Sequence, residues 1–293
     1  MQTSVRNDEV IALSALQSRQ LGLAIDLGST KIAGYLVDLS SGRTLAAKGV
    51  TNQQVSYGED IVSRISLAVK SPAEGKRLQE LAVETINQLA SELCKEAGAE
   101  PGEIVDSVIA GNTAMHHLLL GLSVRQLVYS PFVPAVCRAL DIKARDMFLH
   151  LAPGAYVHLL PNIAGFVGGD HVAMLLATEA EWANGLVLAL DIGTNTEVSL
   201  IDQGEITTAS CASGPAFEGG HIKHGMRAAS GAIERVRVVN GKIQYQTINV
   251  EPPAGICGSG TLDALAQLYL AGVLDKGGRM SEKHFRLRTH RGK

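Results

Sequence analysis

Cysteine is scarce and scattered in this chain of 293 residues: Cys94, Cys137, Cys211 and Cys257 are all it has, and no two lie within four residues of each other. That spacing excludes a CxxC redox or metal pair. None of the nine histidines falls in an HExxH or other paired-ligand spacing. A zinc or iron–sulfur centre held by these residues is therefore not expected.

Long apolar runs are missing too. No stretch approaches the roughly 18 to 20 consecutive apolar residues that a membrane span needs. Arg6, Asp8 and Glu9 stand ahead of a short apolar stretch at 11–16, a charge pattern unlike a signal peptide. The cytoplasm is the expected compartment. A formal charge of −3 supplies no field for nucleic acid or anionic lipid, so neither is an expected partner. In the tail 276–293 basic residues outnumber acidic ones, and His284-Phe285-Arg286-Leu287-Arg288 alternates like an edge strand. With 46% apolar and 19% charged residues, the composition is that of a globular chain with room for two modest domains.

Residues 1–20 read as a lead-in segment whose 8–19 portion is a short amphipathic helix. From Leu21 a strand runs to Asp26, Gly28 marks a turn, and 32–37 forms a second strand. Ser41-Gly42 turns again into a third strand at 44–50. Helical patterns cover 58–69 and 72–97. The longer one carries Leu78, Leu81, Ala82, Ile86, Leu89, Ala90 and Leu93 on one stripe, and Gly98 stops it. A buried strand at 104–110 precedes Gly111-Asn112-Thr113 and a helix through Leu120, with Asn112 or Thr113 as its cap. Pro131, Pro134 and Pro153 break up the region 125–160, which shows no clear element. A helix is expected over 170–183 and a strand over 186–190.

There the chain repeats itself. Leu188-Ala-Leu-Asp191-Ile-Gly193-Thr194-Asn195 lies over Leu23-Ala-Ile-Asp26-Leu-Gly28-Ser29-Thr30. The second copy continues as a strand at 198–201, an Asp202-Gln203-Gly204 turn and a strand at 206–209, the same order as the first. A shared motif inside a shared meander implies duplicated domains, expected over 21–184 and 185–293.

Phosphate binding needs several backbone N–H groups aimed at one place with no side chain in the way, which a glycine-containing hairpin tip supplies. Ser29, Thr30, Thr194 and Asn195 add side-chain donors, and Lys31 adds a charge in the first copy only. Asp26 and Asp191 would repel a triphosphate directly. Both suit Mg²⁺ through its coordinated waters, or can orient an attacking water. One Asp-x-Gly-Ser alone reads as an ordinary turn; two in equivalent hairpins point to phosphate.

Gly255-Ile-Cys-Gly258-Ser259-Gly260 is a third candidate, since a glycine-rich loop opening a helix over 261–274 presents N–H groups and a positive dipole end. Close packing of that turn against a sheet is the alternative. The segment Ala212-Ser-Gly-Pro-Ala-Phe-Glu218 can return Glu218 to the site as a metal-water ligand or base, or leave it solvated. Asp170, after Gly168-Gly169, is a candidate base, with a helix-capping role favoured. His116, His117, His221 and His224 read as structural.

Asp26-Leu-Gly-Ser-Thr-Lys and Asp191-Ile-Gly-Thr-Asn-Thr resemble the two phosphate motifs of the acetate kinase, sugar kinase, heat-shock chaperone and actin superfamily. Within it, Asn52-Gln-Gln-Val-Ser-Tyr-Gly-Glu-Asp-Ile-Val-Ser-Arg-Ile65, Gly111-Asn-Thr-Ala-Met-His-His117 and Pro161-Asn-Ile-Ala-Gly-Phe-Val-Gly-Gly-Asp170 resemble the ATPase domain of reductive activators of corrinoid proteins. Ala212-Ser-Gly-Pro-Ala-Phe-Glu-Gly219 and the 255–260 loop fit as well. The resemblance spans about residues 20–275, and its 52–65 segment is far more specific than the phosphate loops.

The resemblance implies an α/β fold of two ribonuclease-H-like (actin-like) domains with a nucleotide cleft between them. It implies ATP and Mg²⁺ as cofactors, a corrinoid protein or corrinoid iron–sulfur protein as partner, and an electron donor that takes Co(II) to Co(I). Asp26, Gly28, Ser29 and Thr30 would hold one side of the phosphates, and Asp191, Gly193, Thr194 and Asn195 the other. Such activators usually carry an N-terminal 2Fe-2S ferredoxin domain, and their superfamily a late adenosine-binding glycine pair. Neither is matched here, so the chain is expected to be a fragment with an incomplete second domain. A small-molecule kinase using Asp170 as base, and a non-catalytic nucleotide-sensing module, are the competing readings. Oligomeric state stays open, a homodimer included.

Overall fold

The computed structural model describes residues 1–280 except Gln17, Glu59, Thr194, Pro215, Phe217, Glu218, Gly220, His221 and Asn240. Of the expectations above, those on Thr194, Glu218, His221 and the alternating stretch 284–288 lie outside the described residues.

The chain opens with two strands, β1 (Gln2–Arg6) and β2 (Glu9–Ser14), paired antiparallel, with Asn7 in the turn at φ +53°. The lead-in helix expected over 8–19 is therefore a β-hairpin. Long-range anchors explain the difference. Arg6 reaches Asp106 at 2.7 Å and Lys143 reaches Glu9 at 2.6 Å. A Cβ at Gly154 would lie 2.1 Å from the Ile11 carbonyl oxygen, so the hairpin rests directly on that loop. Such tertiary contacts override a weak local helical preference.

The expected meander follows as β3 (Leu21–Leu27), β4 (Lys31–Asp38) and β5 (Thr44–Thr51). Next come α1 (Ile61–Lys70), α2 (Pro72–Ala97), β6 (Ile104–Ala110), α3 (Thr113–Leu119), β7 (Leu140–Lys143) and β8 (Tyr156–Leu159). Six strands form one sheet in the order β5-β4-β3-β6-β8-β7, with β3 antiparallel to β4 and parallel to β6.

Helix α2 forms as its sequence demands. Ser71 accepts from the Glu74 N–H, Pro72 opens the first turn, and Gly98 closes the helix at φ +62°. Its stripe Leu78, Ala82, Ile86, Leu89 and Leu93 is buried against the sheet, each leucine contributing about 1.5–3 kcal/mol. Gly34 of β4 permits the close approach, because a Cβ there would lie 2.8 Å from Leu89 Cδ2.

After α4 (Gly169–Thr178) the helix expected to reach residue 183 tightens into a 3₁₀ segment, Glu179–Asn184. The second meander is β9 (Val187–Ile192), β10 (Asn195–Asp202) and β11 (Glu205–Ala212), in the order β11-β10-β9. A third sheet, order β13-β12-β14, comprises β12 (Ala232–Val239), β13 (Lys242–Thr247) and β14 (Gly255–Ile256). Helix α5 (Gly258–Leu270) starts three residues earlier than the expected 261 and packs on β12.

Two compact units result: Met1–Ala189 with Ser199–Ala209, and Leu190–Val198 with Ser210–Lys293. This division by contacts falls inside the second meander. Within the first unit, Leu175 of α4 packs with Ala189 and Ile201, and buried His171 bonds Ser199 Oγ through Nε2 at 2.7 Å. In the second unit, Asp263 and Gln267, one helical turn apart on α5, accept the N–H groups of Val236 and Val238 at 3.2 and 2.9 Å. Alternate strand residues face one way and i,i+4 helix residues share a face, so the two periodicities match.

Candidate functional site

The first aspartate–glycine tip is set by strand register. Asp26 pairs with Ala33 on one side and Ala110 on the other, so it stands level with the end of β6. Its side chain is exposed while Ile25 and Leu27 are buried, as alternation in a strand requires. Gly28 then closes the turn where no other residue fits: a Cβ would lie 2.4 Å from the Lys31 carbonyl oxygen. Ser29 and Thr30 are partly exposed, and Lys31 opens β4 with its side chain in solvent.

Two asparagines hold this tip. Asn52 donates from Nδ2 to the Gly28 carbonyl and from its backbone N–H to the Thr30 carbonyl, both at 2.9 Å. Asn112 donates from Nδ2 to Ser29 Oγ at 3.1 Å, while its Oδ1 caps α3 by accepting from the Met115 N–H at 2.9 Å. The sequence suggested only the cap.

Gly168-Gly169-Asp170 is packed onto the same turn. A Cβ at Gly168 would meet Asn112 Cα and Thr113 N, each at 2.5 Å. Gly168 is the N-cap of α4, and Asp170 is an acid in its first turn whose Oδ1 accepts the His171 N–H at 2.8 Å. The Asp170 N–H in turn bonds the Gly111 carbonyl at 3.3 Å. The structure thus gathers Asp26, Gly28, Ser29, Thr30, Asn112 and Asp170 where β3 and β6 end, the edge at which open α/β sheets bind ligands.

The second tip belongs to the second unit. Asp191 is half-buried near the end of β9, Asn195 begins β10, and the Gly193 N–H bonds the Asn195 carbonyl at 3.0 Å. Thr196 Oγ1 and Ser213 Oγ hydrogen-bond, which ties the start of the 212–218 segment to this strand. In the 258–260 loop the packing alternative holds for Gly260. That residue is buried, and a Cβ there would lie 2.1 Å from the Ile233 carbonyl oxygen. Gly258 and Ser259 share the first turn of α5, with the Ser259 side chain exposed.

The paired histidines of α3 are structural. His117 Nε2 accepts from the Ala135 N–H at 2.9 Å, so its Nδ1 carries the proton and donates to the Thr113 carbonyl at 2.7 Å. Burial pushes the His116 imidazole down to about 4 and lowers that of His117. Both are neutral in the fold, whereas the unfolded chain takes up their protons near the ordinary value of 6.5. The unfolded state therefore binds more protons below that pH. Stability should be full above about pH 6.5 and fall as pH drops toward 4. Urea midpoints at pH 7 and pH 5 check this, and His116→Gln should flatten the dependence; an unaltered slope in that variant would exclude His116 as its source.

Among the described residues no group of three or more His, Cys, Asp or Glu side chains could hold a metal ion, and no helix is long and apolar enough to cross a membrane.

Two family models match the chain: the RACo middle region over residues 21–182, and the C-terminal domain of RACo, the ASKHA domain, over 185–293. The corrinoid activation enzyme RamQ of Eubacterium limosum is 37% identical over 88% of this chain and 43% of its own length. The [Co(II) methylated amine-specific corrinoid protein] reductase of Methanosarcina barkeri is 24% identical, over 87% of this chain and 52% of its own. A solved structure, a reductive activator for corrinoid, iron-sulfur protein, superposes with a TM-score of 0.81 at 42% identity, covering 91% of this chain and 43% of that one. The chain spans about half the length of the curated relatives it matches.

Proposed function

The chain belongs to the RACo family of reductive activators of corrinoid proteins, and from that premise we propose that it carries the ATP-handling part of such an activator. ATP turnover to ADP and phosphate would lend free energy to the transfer of one electron from a separate donor to Co(II), giving Co(I) on a corrinoid protein partner.

The observation that supports this most is the tip at residues 26–31. An exposed carboxylate, a glycine with no room for a Cβ and two hydroxyl side chains meet at the end of β3. Oxygen donors of this kind fit a hard cation that keeps most of its waters and binds mainly through substrate phosphates, which needs only one or two carboxylates. Asp26 would hold Mg²⁺ through water. When bound, that ion neutralises phosphate charge. Gly28, Ser29 and Thr30 would receive phosphate oxygens at N–H and hydroxyl groups, and Lys31 would add positive charge. Asp191, Gly193 and Asn195 repeat the same donor chemistry in the second unit.

The cysteines do not fit an iron–sulfur cluster: Cys94 and Cys257 are buried, Cys137 and Cys211 are exposed, and no metal-holding group forms among the described residues. The electron is accordingly assigned to a donor other than these residues.

The test is anaerobic incubation with MgATP, a low-potential reductant and a corrinoid protein held as Co(II). Co(I) absorbance that appears only with ATP is the expected result. MgATP binding without any ATP-dependent Co(I) would overturn the activator reading, and failure to bind MgATP at millimolar concentration would overturn the nucleotide reading.

A further inference from the structure

We propose that Asn52 and Asn112 are positioning residues that clamp the 28–30 tip into a phosphate-receiving shape, with Gln54 and Arg64 bracing Asn52 from behind. This role rests on the nucleotide reading above and assigns a task to the 52–65 segment, which that reading leaves unexplained.

Asn52 is fully buried; its Nδ2 and backbone N–H bond the tip and its Oδ1 bonds the brace. Its two donors draw the Gly28 and Thr30 carbonyls toward itself. A trans peptide sets each C=O antiparallel to the following N–H, so the Ser29 N–H faces away from Asn52. The negative ends of these dipoles are thereby kept off the side where an anion would approach, and a positive end is turned toward it.

Asn112 completes the arrangement from a different element. By donating to Ser29 Oγ it occupies an acceptor position of that hydroxyl and leaves the O–H to donate outward. Both clamps are fixed by sheet register. Lys31 pairs with Thr51, which places residue 52 beside the tip, and Asp26 pairs with Ala110, which places residue 112 there.

The brace is a buried polar relay. Asn52 Oδ1 accepts the Gln54 N–H at 3.0 Å, Gln54 Nε2 donates to the Leu78 carbonyl at 2.7 Å, and Gln54 Oε1 accepts from Arg64 Nη1 at 3.3 Å. Arg64 Nε donates to the Gly58 carbonyl at 2.9 Å, and Asn52, Gln54 and Arg64 all have zero exposure. Nη2 of Arg64 has no hydrogen-bond partner among the described residues. Burying a guanidinium incompletely satisfied is costly, and a network of this kind specifies one local geometry.

Asn112 separates positioning from folding. Asn112→Ser and Asn112→Asp both keep an oxygen able to cap α3, and neither keeps the donor to Ser29. The measurements are the MgATP dissociation constant and, without nucleotide, backbone amide exchange at residues 29–31. Asn112→Ser should bind MgATP at least tenfold more weakly than the parent and exchange faster at the tip, with α3 amides still protected. Asn112→Asp should lose at least as much. Parent-like affinity in Asn112→Ser overturns the proposal while the nucleotide reading stands. Weaker binding with unchanged tip exchange also overturns it, because Asn112 would then touch the nucleotide itself. Loss of α3 protection in both variants makes Asn112 a cap only. A parent that binds no MgATP overturns the nucleotide reading and this role together.

Discussion

Asp26→Ala is expected to lower magnesium-dependent ATP turnover at least tenfold and to leave the fold intact. A tenfold loss is about 1.4 kcal/mol of barrier. That is a modest demand on a preorganised charge, since removing one aligned group from such a site typically costs about 3–4 kcal/mol. The fold has less to lose. The Asp26 side chain is exposed, and Ile25 and Leu27 beside it, at 2% and 0% exposure, keep β3 in the core. An exposed substitution of this kind usually shifts stability by no more than about 0.5 kcal/mol. Asp191→Ala, at a half-buried side chain, should likewise lower turnover at least tenfold. Turnover and thermal midpoint measured together decide the matter: a variant as fast as the parent would remove the phosphate assignment at residue 26.

Much of the frame was legible because it rests on local rules. Ser71-Pro72, the leucine stripe and Gly98 announce α2 within two residues of their own backbone, and the two Asp-x-Gly tips announce themselves by repetition. The rest depends on partners far away in the chain. Asn52 acts on a tip 24 residues earlier and Asn112 on a serine 83 residues earlier, distances at which side-chain type carries no spacing signal. Gly260 reads as part of an anion-binding loop, yet it is pressed against the Ile233 backbone, as Gly168 is against Asn112 and Thr113. The β1–β2 hairpin reads as a helix from sequence because its apolar residues fit either period, and its ion pairs to Asp106 and Lys143 are invisible locally. Strands β7 and β8 have four residues each and are flanked by proline-broken loops, too short to show alternation.

Gly168→Ala should damage both fold and site, costing about 3 kcal/mol of stability and weakening MgATP binding. The backbone at Gly168 is extended, with φ −102°, so conformational strain is not the reason. The collision is. The new Cβ would lie 2.5 Å from Asn112 Cα, 2.5 Å from Thr113 N and 2.6 Å from Asn112 C. All three are main-chain atoms, so no rotamer change relieves them, and overpacking against an unyielding neighbour sits at the upper end of the usual 1–3 kcal/mol. To make room, the start of α4 must back away from the β6–α3 turn. That movement breaks the Asp170 N–H bond to the Gly111 carbonyl and drags on Asn112, whose other end holds Ser29. One methyl would thus be felt at the tip without touching it. Gly49→Ala is the control, since a Cβ there meets nothing within 4 Å, and it should leave both the urea midpoint and MgATP affinity near the parent's. Equal midpoints for the two alanine variants would mean that α4 is not seated on this turn, and that residues 168–170 are not part of the site.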